Sequence, residues 1–443
     1  MRTMRFLASL AAAVLVAGCN DFLTGGELSN DPNRPLSASS DRLFVAIQSQ
    51  TWALMQSDLA RIAGMFTQQW EGTDRQYQAI YNYNYSESTT NGFHAGLYTG
   101  GGLVDIRQLQ ANARAASDSL LLGVAQVQEA LTMGTGADIF GDLTYTQALS
   151  RTTNPPLDPQ MAVYDSVQAL LGRAIANLSA TGATNRGPGS ADLVYGGNRA
   201  AWLRLAHTLR ARFFMHVAEV RPGAYAQALT EARQGITSTS GDYVEVFSGN
   251  ANEQNFWYQF IEVQRSGYIA PNPYLYDLME SRGDPRLTDY FTPGGGDLSK
   301  TRRASNYTQH VITAQENLLT WAEAAYRTGN ESEARAQLDA EHQLVGLPAV
   351  PATLSGTALL REILTERYIA LFQTIEVWND YKRTCFPNLV PVVSGQKIPA
   401  RLYYDTSERQ TNSNIPPGSG QPTRNANDPA NATDPFGNKC LGQ

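Results

Sequence analysis

Two stretches of the chain combine aromatic rings with hydrogen-bonding side chains. Residues 70–88 read WEGTDRQYQAIYNYNYSES, and residues 252–268 read NEQNFWYQFIEVQRSGY. Tryptophan and tyrosine rings stack on the apolar C–H faces of a sugar ring, while carboxylates, amides and guanidinium groups bond its rim of hydroxyls. This composition therefore predicts a sugar-binding surface. The predicted stacking rings are Trp70, Tyr77, Tyr81, Trp257 and Tyr258, and the predicted polar partners are Asp74, Arg75, Asn82 and Arg265.

The tyrosines of the first stretch also have a structural interpretation. Tyr81, Tyr83 and Tyr85 occur at every second position. Side chains with that period lie on one side of an extended segment, so these rings can equally pack against helices as half-buried side chains. Both interpretations stay open for each tyrosine.

The sequence offers few residues for catalysis. Its five histidines show no metal-ligand spacing such as H-E-x-x-H, and no G-x-S-x-G motif is present. Glu71 and Asp74, or Glu253, could supply a pair of glycosidase carboxylates, but the required separation of about 5 to 9.5 Å is not defined by a sequence. Acidic residues beside aromatic rings more often bond sugar hydroxyls or simply face water. We therefore predict a binding protein without catalytic residues, bound metal or cofactor.

The amino terminus carries the pattern of a secretory signal. Two arginines among the first five residues precede an apolar run over 6–16, and Ala17 and Gly18 stand before Cys19. The run is too short to span a bilayer as a permanent helix. A cysteine directly after the small pair resembles a bacterial lipobox, which implies cleavage before Cys19 and acylation of that residue. The alternative is a plain signal peptide with an incidental cysteine.

These features divide the chain into a signal peptide (1–18), a flexible polar tether (19–41) and a body (42–443) that is predicted to be one helical domain. Cleavage removes two arginines, so 32 basic and 41 acidic residues leave a net charge of −9. An acidic surface without basic clusters argues against a nucleic-acid partner. It also argues against electrostatic docking on anionic lipid, so the lipid on Cys19 is expected to be the membrane anchor.

Two cysteines remain after lipidation, Cys385 and Cys440. In an oxidising compartment an even pair is expected to form a disulfide, which ties the carboxyl-terminal tail to the body. Two free buried thiols are the alternative. A metal site at these cysteines is disfavoured, because no histidine or third cysteine lies near either of them in the sequence.

Apolar residues recur at helical spacing through much of the body, which predicts a mainly α-helical fold. Helices are predicted over 42–69 (one or two helices), 103–116, 121–133, 161–178, 199–220, 225–236, 315–340 (two helices with a turn at Gly329 and Asn330) and 359–381. Small alanines alternate with larger residues in several of these segments, as in tetratricopeptide helix pairs, although no strict repeat period occurs. The stretches 179–198, 237–310 and 384–443 are predicted to be long irregular loops, which usually carry function.

Six segments of the body resemble sequence elements of one protein family. They are ADIFGDLTYTQAL (137–149), RAAWLRLAHTLRARFFMHV (199–217), DPRL (284–287), ITAQENLLTWAEAAYRTGNESEA (312–334), ILTERYIALFQTIEVWNDYKRT (363–384) and IPARLYYDTSERQTN (398–412). Together with Cys19, their order and spacing resemble the SusD/RagB family of outer-membrane nutrient-binding lipoproteins, in particular its second, SusD-like branch. The chain departs from the family pattern at Thr144 and Asp405, where proline is usual, and at His207, where asparagine is usual.

Most of the matched elements are predicted to be structural. Four charged residues of 363–384 are expected to lie on one helix and to pair with backbone ends or neighbouring helices: Glu366, Arg367, Glu376 and Asp380. Trp378 is expected to anchor that helix in the core. Arg401 and Glu408 are expected to clamp the tail onto the body. A buried catalytic carboxylate at Glu366 is the alternative.

The resemblance implies tetratricopeptide-like helix pairs with long irregular ligand-binding loops on one face. It also implies a partner, a SusC-type TonB-dependent barrel, and ligands that are mostly glycans and in some members peptides. The leading hypothesis is a protein lipid-anchored in the outer membrane, facing the cell exterior, that captures a glycan and delivers it to the barrel. One alternative makes the ligand a peptide or another nutrient, which a charged cleft with few exposed aromatic rings favours. A second alternative is a helical-repeat scaffold that binds only proteins.

Overall fold

Helices account for most of the structure. The computed structural model describes residues 38–90, 92–150, 152–182, 184–429 and 436. Cys19, Cys440, the predicted signal peptide and most of the predicted tether therefore lie outside the described residues. Within the described part of the chain, no helix is both long and apolar enough to cross a membrane. The prediction of a mainly α-helical fold is confirmed.

The α-helices of six or more residues are numbered in chain order: α1 Ser40–Gln56, α2 Asp58–Phe66, α3 Arg75–Tyr81, α4 Leu103–Ala115, α5 Ser119–Phe140, α6 Gln160–Ser179, α7 Arg199–His216, α8 Ala224–Ala232, α9 Pro273–Arg282, α10 Ala314–Arg327, α11 Glu331–Val345, α12 Gly356–Ala370, α13 Glu376–Thr384 and α14 Thr406–Thr411. Shorter helical segments include Glu87–Thr90, Phe93–Gly96, Leu287–Tyr290 and Phe256–Tyr258, which leads into a π-helical turn, Gln259–Gln264. The strands are β1 Trp70–Gly72, β2 Tyr243–Glu245, β3 Ile269–Pro271 and β4 Gln309–Ile312. They form two antiparallel ladders, β1 with β3 and β2 with β4.

Successive helices pack side by side. α4 packs on α5, α5 on α6, α6 on α7, and α7 on α8, while α10 packs on α8, α11 and α12. Most buried apolar side chains form one cluster, and a second cluster lies among α7, α8, α10, α11 and α12. The expected pairing of neighbouring helices is therefore present.

The helix α5 continues past residue 133, where its apolar periodicity ends, to Phe140, and the turn at Gly141 and Asp142 follows it, as the sequence also predicts. It runs through Gly134, where a Cβ atom would lie 2.2 Å from the Cζ atom of Phe213 on α7. The glycine thus allows the two helices to approach closely. The helix ends at Gly141, whose φ of +77° is readily adopted only by glycine.

The last predicted long helix, over 359–381, is broken in the structure. α12 ends at Ala370 and α13 begins at Glu376, with Gln373 between them at a φ of +64°. The Gln373 side chain is buried, and its oxygen accepts a hydrogen bond from Arg302 at 2.8 Å. The prediction of a single helix is wrong. The contact between Gln373 and Arg302 holds the turn, and a contact with a residue so distant in sequence cannot be detected from the apolar spacing of residues 359–381.

The break places the four predicted charged residues on two helices that bind each other and their neighbours. Arg367 of α12 donates to Asp380 of α13 at 2.5 and 2.9 Å. Arg383 of α13 forms two hydrogen bonds of 2.7 Å with Glu323 of α10. The side chains of these two ion pairs, Arg367–Asp380 and Arg383–Glu323, are at most 10% exposed. These charges connect packed helices, in agreement with the structural interpretation.

The tail is fastened to the end of α5. The Arg401 guanidinium donates to the Phe140 carbonyl oxygen at 2.9 Å, as expected for a clamp. Glu408 lies in α14, where its backbone N–H donates to the Asp405 carboxylate at 2.7 Å.

The end of the tail returns to the neighbourhood of Cys385. The ring of Phe436 lies 5.6 Å from the ring of Phe386, measured between centroids. Cys440 lies outside the described residues, so its disulfide with Cys385 stays a prediction.

We expect the Glu323→Ala substitution to lower the free energy of unfolding by about 3 to 5 kcal/mol, because it leaves the buried Arg383 guanidinium without its bidentate partner. Arg233→Ala is the control, since Arg233 pairs with Glu333 at the surface and is 46% exposed. That change is expected to lower the free energy of unfolding by less than about 1 kcal/mol. Urea unfolding measures both, and equal losses in the two variants would contradict the structural role of the buried pair.

Candidate functional site

The two aromatic stretches found in the sequence meet in the structure. β1 of the first stretch pairs with β3, which directly follows the second, so that Trp70 lies opposite Pro271 and Gly72 opposite Ile269. The ladder continues into the second stretch, because the Thr73 N–H donates to the carbonyl oxygen of residue 268 at 2.9 Å. Residues about 200 positions apart in the chain thus form one region.

The two tryptophans of these stretches are core residues. Trp70 and Trp257 are 1% and 0% exposed, and their rings stack with centroids 4.9 Å apart. Trp70 also stacks on Phe372, in the break between α12 and α13, at 5.6 Å. The indole N–H of Trp257 donates to Gln56 on α1 at 2.9 Å. The prediction that these rings stack on a ligand is wrong, because other aromatic rings already cover their faces.

The tyrosines of the first stretch also support the fold. Tyr77 is buried and donates its hydroxyl proton to Asp58 on α2, and burial raises its pKa. The half-buried Tyr81 accepts a hydrogen bond from Asn272 at 3.0 Å, and burial raises its pKa to about 12. Tyr85 donates to the carbonyl oxygen of residue 401 at 2.8 Å. These tyrosines therefore pack against the fold, and the prediction that Tyr77 stacks on a ligand is wrong. The extended segment expected for Tyr81, Tyr83 and Tyr85 does not form, because Tyr81 ends α3 and Tyr83 has a φ of +61°. A ligand role for the half-buried Tyr81 stays a prediction.

Two of the predicted polar partners flank one half-buried ring, and a third lies beside them. The guanidinium carbons of Arg75 and Arg265 lie 5.3 and 5.6 Å from the ring centroid of Tyr268, and Arg75 also donates to the Tyr268 hydroxyl. Asp74 caps α3 by accepting the Arg75 N–H at 2.9 Å. We define Asp74, Arg75, Arg265 and Tyr268 as the Tyr268 surface. Its three charged residues are solvent-exposed, and Tyr268 itself is half-buried.

The remaining predicted residues lie beside these elements. Asn82 is exposed at the end of α3, where it follows the last helical residue. Tyr258 is half-buried, and its backbone N–H donates to Asn255 at 3.1 Å. Their roles in ligand binding stay predictions.

A separate cleft of about 500 Å³ lies between α1 and the segment 246–259. Three large aliphatic side chains line it while remaining unusually exposed: Val45 (38%), Leu193 (44%) and Val246 (46%). Exposed apolar side chains that gather in one concave place mark binding sites more often than scattered ones do. We define this space as the aromatic cleft, after the rings described next.

Three aromatic rings line the aromatic cleft. Trp52 of α1 lies 6.2 Å from Phe247, and Phe247 lies 5.6 Å from Phe256 in an edge-to-face arrangement. The segment that carries the two phenylalanines is held at several points. Asn255 caps the short helix Phe256–Tyr258 by accepting two backbone N–H groups at 2.8 and 3.1 Å, and it donates to the carbonyl oxygen of residue 307. With Trp257 fixed in the core beside it, Phe256 is held at the cleft.

The α1 wall of the cleft follows from helical spacing. Val45, Ser49 and Trp52 stand four and three residues apart, which places them on one face of a helix. Phe44 and Ile47 lie on the buried face of the same helix. Trp52 belongs to both sets, since it is 5% exposed and packs in the main apolar cluster while also lining the cleft. The sequence predictions did not include Trp52, although its helical spacing from Val45 and Ser49 identifies the cleft wall.

The polar part of the cleft is nearly neutral. Asn252, Glu253 and Gln259 contribute side chains, and Glu253 is the one charged residue among the described residues that line the space. Hydrogen bonds from Ser248 and then Asn250 lower the pKa of Glu253. Its carboxylate is therefore ionised at neutral pH and can accept hydrogen bonds. Aromatic walls with an amide and carboxylate rim suit a ligand that has both apolar faces and hydroxyl groups.

One group of potential metal ligands occurs in the described part of the chain, and it does not line the cleft. It consists of Glu341, His342 and Glu366.

We expect Trp70→Ala to lower the free energy of unfolding by about 3 to 5 kcal/mol, because it removes a buried ring from the stack with Trp257 and Phe372. Tyr268→Ala, which removes a half-buried ring that packs edge-on against Tyr77, is the comparison and is expected to lower the free energy of unfolding by less, about 1 kcal/mol. Urea denaturation measures both values. A Trp70→Ala protein that is as stable as the unsubstituted protein would show that the stack is not a core contact.

The chain can now be compared with known proteins. Residues 32–310 match the second SusD-like family, which is described as starch-binding and associating with the outer membrane. No curated protein matches the chain in sequence.

Several solved structures share the fold. A SusD/RagB family protein from Bacteroides thetaiotaomicron aligns with a TM-score of 0.69 at 20% identity, over 86% of this chain and 95% of that chain. A chitin-binding SusD homologue from Flavobacterium johnsoniae aligns with a TM-score of 0.72 at 17% identity, over 88% and 99%. A SusD homologue from Bacteroides fragilis gives 0.70 at 17%, over 91% and 100%. The family match covers more than half of the chain, and this protein therefore belongs to the SusD/RagB family, in its second SusD-like branch.

Proposed function

We propose that this protein captures glycan chains at the outer membrane and that the aromatic cleft is its binding site. The observation that carries the proposal is the combination of Trp52, Phe247 and Phe256 with exposed aliphatic side chains in one cleft of about 500 Å³. That volume lies within the roughly 300–1,000 Å³ common for small-molecule sites. The family description as starch-binding and the chitin-binding homologue support a carbohydrate ligand.

The charge of the cleft favours a neutral glycan over a peptide. Peptides present charged side chains and termini, which need partners of opposite charge when they are bound. Among the described lining residues, Glu253 supplies the single charge and no lysine or arginine is present. A cleft with three aromatic rings and one charge differs from the charged cleft with few aromatic rings that a peptide ligand favours. The same concave, aromatic-lined cleft disfavours a scaffold that binds only proteins.

Anchoring and delivery form the second part of the proposal. Acylation of Cys19 would hold the body at the membrane through the tether, with the cleft facing the cell exterior. A SusC-type TonB-dependent barrel would then receive the glycan, and the protein would act by binding alone, without catalysis. A disulfide between Cys385 and Cys440 would secure the tail. These parts rest on the sequence and on the family resemblance.

The Tyr268 surface is the alternative location for the glycan. Its half-buried ring is flanked by Arg75 and Arg265, and Asp74 lies beside Arg75; all three are polar partners predicted from the sequence. It is an open surface, and it has one ring where the aromatic cleft has three. We therefore assign the principal contacts to the cleft and use Tyr268 to test the assignment.

The test measures binding of chito-oligosaccharides and malto-oligosaccharides by calorimetry, with the chain from residue 19 onward carrying Cys19→Ala. Phe247→Ala and Phe256→Ala are each expected to weaken binding about tenfold or more, because each removes a stacking ring. Val263→Ala is the matched control, since Val263 belongs to the π-helical turn after Phe256, is 62% exposed and does not line the cleft. It is expected to bind like the unsubstituted protein.

Two outcomes would contradict the proposal at different levels. Binding that survives both phenylalanine substitutions but is lost in Tyr268→Ala would move the site to the Tyr268 surface and keep the function. The absence of saturable binding to either class of oligosaccharide, in a protein with an unchanged unfolding transition, would contradict glycan capture itself.

A further inference from the structure

We propose that this protein also binds one divalent cation of the zinc class, with Glu341 and His342 of α11 and Glu366 of α12 as ligands. The ligand atoms of these three residues all lie within 4.8 Å of one another. None of them lines the aromatic cleft, so the inference is independent of glycan binding. The cation would link α11 to α12 at the edge of the second apolar cluster.

Two buried ligand atoms in this group lack a protein partner. Glu341 is 0% exposed, and its Oε2 atom has no hydrogen-bond partner among the described residues. The His342 side chain is 8% exposed, and its Nε2 atom likewise has none. Buried polar atoms are nearly always paired in folded proteins, so two neighbouring exceptions that point into one space indicate a missing ligand.

The histidine is oriented in the way that metal-bound histidines are. Its Nδ1 atom lies 2.8 Å from the carbonyl oxygen of Pro348. A carbonyl oxygen only accepts, so Nδ1 must carry the proton, and in the neutral ring Nε2 then holds a free lone pair directed at the carboxylates. A hydrogen bond from the second ring nitrogen to a backbone carbonyl is a common support of metal-ligating histidines.

The local charges leave room for a dication. Four carboxylates lie close together around two guanidinium groups: Asp284, Glu341, Glu362 and Glu366 around Arg282 and Arg286. Arg286 binds Asp284 at 2.5 Å and Glu366 at 2.6 Å, but it lies 3.5 Å from Glu341. When all four carboxylates are ionised, as metal ligands must be, the surplus of two negative charges equals the charge of one divalent cation.

The donor set selects the kind of cation. One imidazole nitrogen with two carboxylates is a zinc-type site, whereas calcium and magnesium prefer oxygen ligands alone. Glu362, whose carboxylate binds Arg282, borders the group, and its Oε1 atom lies 4.0 Å from His342 Nε2. Its side chain is 26% exposed, which gives the site a route to solvent. No histidine spacing in the sequence revealed the site, because its ligands are one adjacent pair and one residue from another helix.

The experiment uses the chain from residue 19 onward with Cys19→Ala, first stripped with a chelator. Zinc is titrated in competition with a chromophoric chelator, and thermal unfolding is followed with zinc, calcium or magnesium at the same concentration. We expect one zinc per chain and a rise in Tm of at least about 3 °C with zinc, because a ligand that binds the folded state stabilises it. Calcium and magnesium are expected to produce no such rise.

Two variants and one control connect the binding to this site. Glu341→Gln is expected to abolish stoichiometric zinc binding while raising the Tm of the metal-free protein, because it removes a buried carboxyl group from a crowded acidic cluster. His342→Ala is expected to abolish zinc binding as well. His310→Ala is the control, since His310 is 45% exposed and pairs with Asp242 away from the site; it is expected to bind zinc normally.

The rise in metal-free Tm keeps the Glu341→Gln result informative, since an unfolded variant could not show it. Absence of one-to-one zinc binding in the unsubstituted protein would overturn the proposal. Binding that is unchanged in Glu341→Gln and His342→Ala would overturn it equally, because the zinc would then be held elsewhere.

Discussion

The stack of Trp70 on Trp257 is the contact on which the arrangement of the loops depends. It joins three parts of the chain that are distant in sequence, because Phe372, in the break between α12 and α13, stacks on the other side of Trp70. The Trp257 indole N–H also binds Gln56 on α1. Fixing Trp257 against α1 holds the preceding residue, Phe256, at the cleft on that helix. The core stack thus positions a wall of the aromatic cleft, which we propose as the glycan site.

The helices were predictable because the apolar side chains on one face of each helix must be buried in any tertiary arrangement, and their spacing is visible in the sequence. Where a contact with a distant residue determines the backbone conformation, the local apolar pattern predicted the wrong secondary structure. Gln373 interrupts a helical pattern that contains no glycine or proline, since its side chain binds Arg302 and its neighbour Phe372 joins the tryptophan stack. In α5, Gly134 lies inside the helix, and the Phe213 ring of α7 occupies the space where a Cβ atom would stand.

The site was harder to predict than the fold because composition does not say which side of a loop is covered. The two aromatic stretches were predicted to form the binding surface, yet their tryptophans stack on each other in the core. Trp52 lies on a helix whose other face is core, and Leu193 comes from a different loop altogether. The carboxylates and imidazole around Glu366 show the same limit, because their proximity arises only when α11 packs near α12.

The central claim is that the aromatic cleft, and not the tryptophans of the core, receives the sugar. A crystal structure of the protein with a bound chito- or malto-oligosaccharide tests it most directly. The account predicts a sugar ring lying against Phe247 or Phe256, with Asn252 or Glu253 within hydrogen-bond distance of its hydroxyl groups. A sugar stacked on Tyr268 between Arg75 and Arg265, with no sugar in the aromatic cleft, would contradict it.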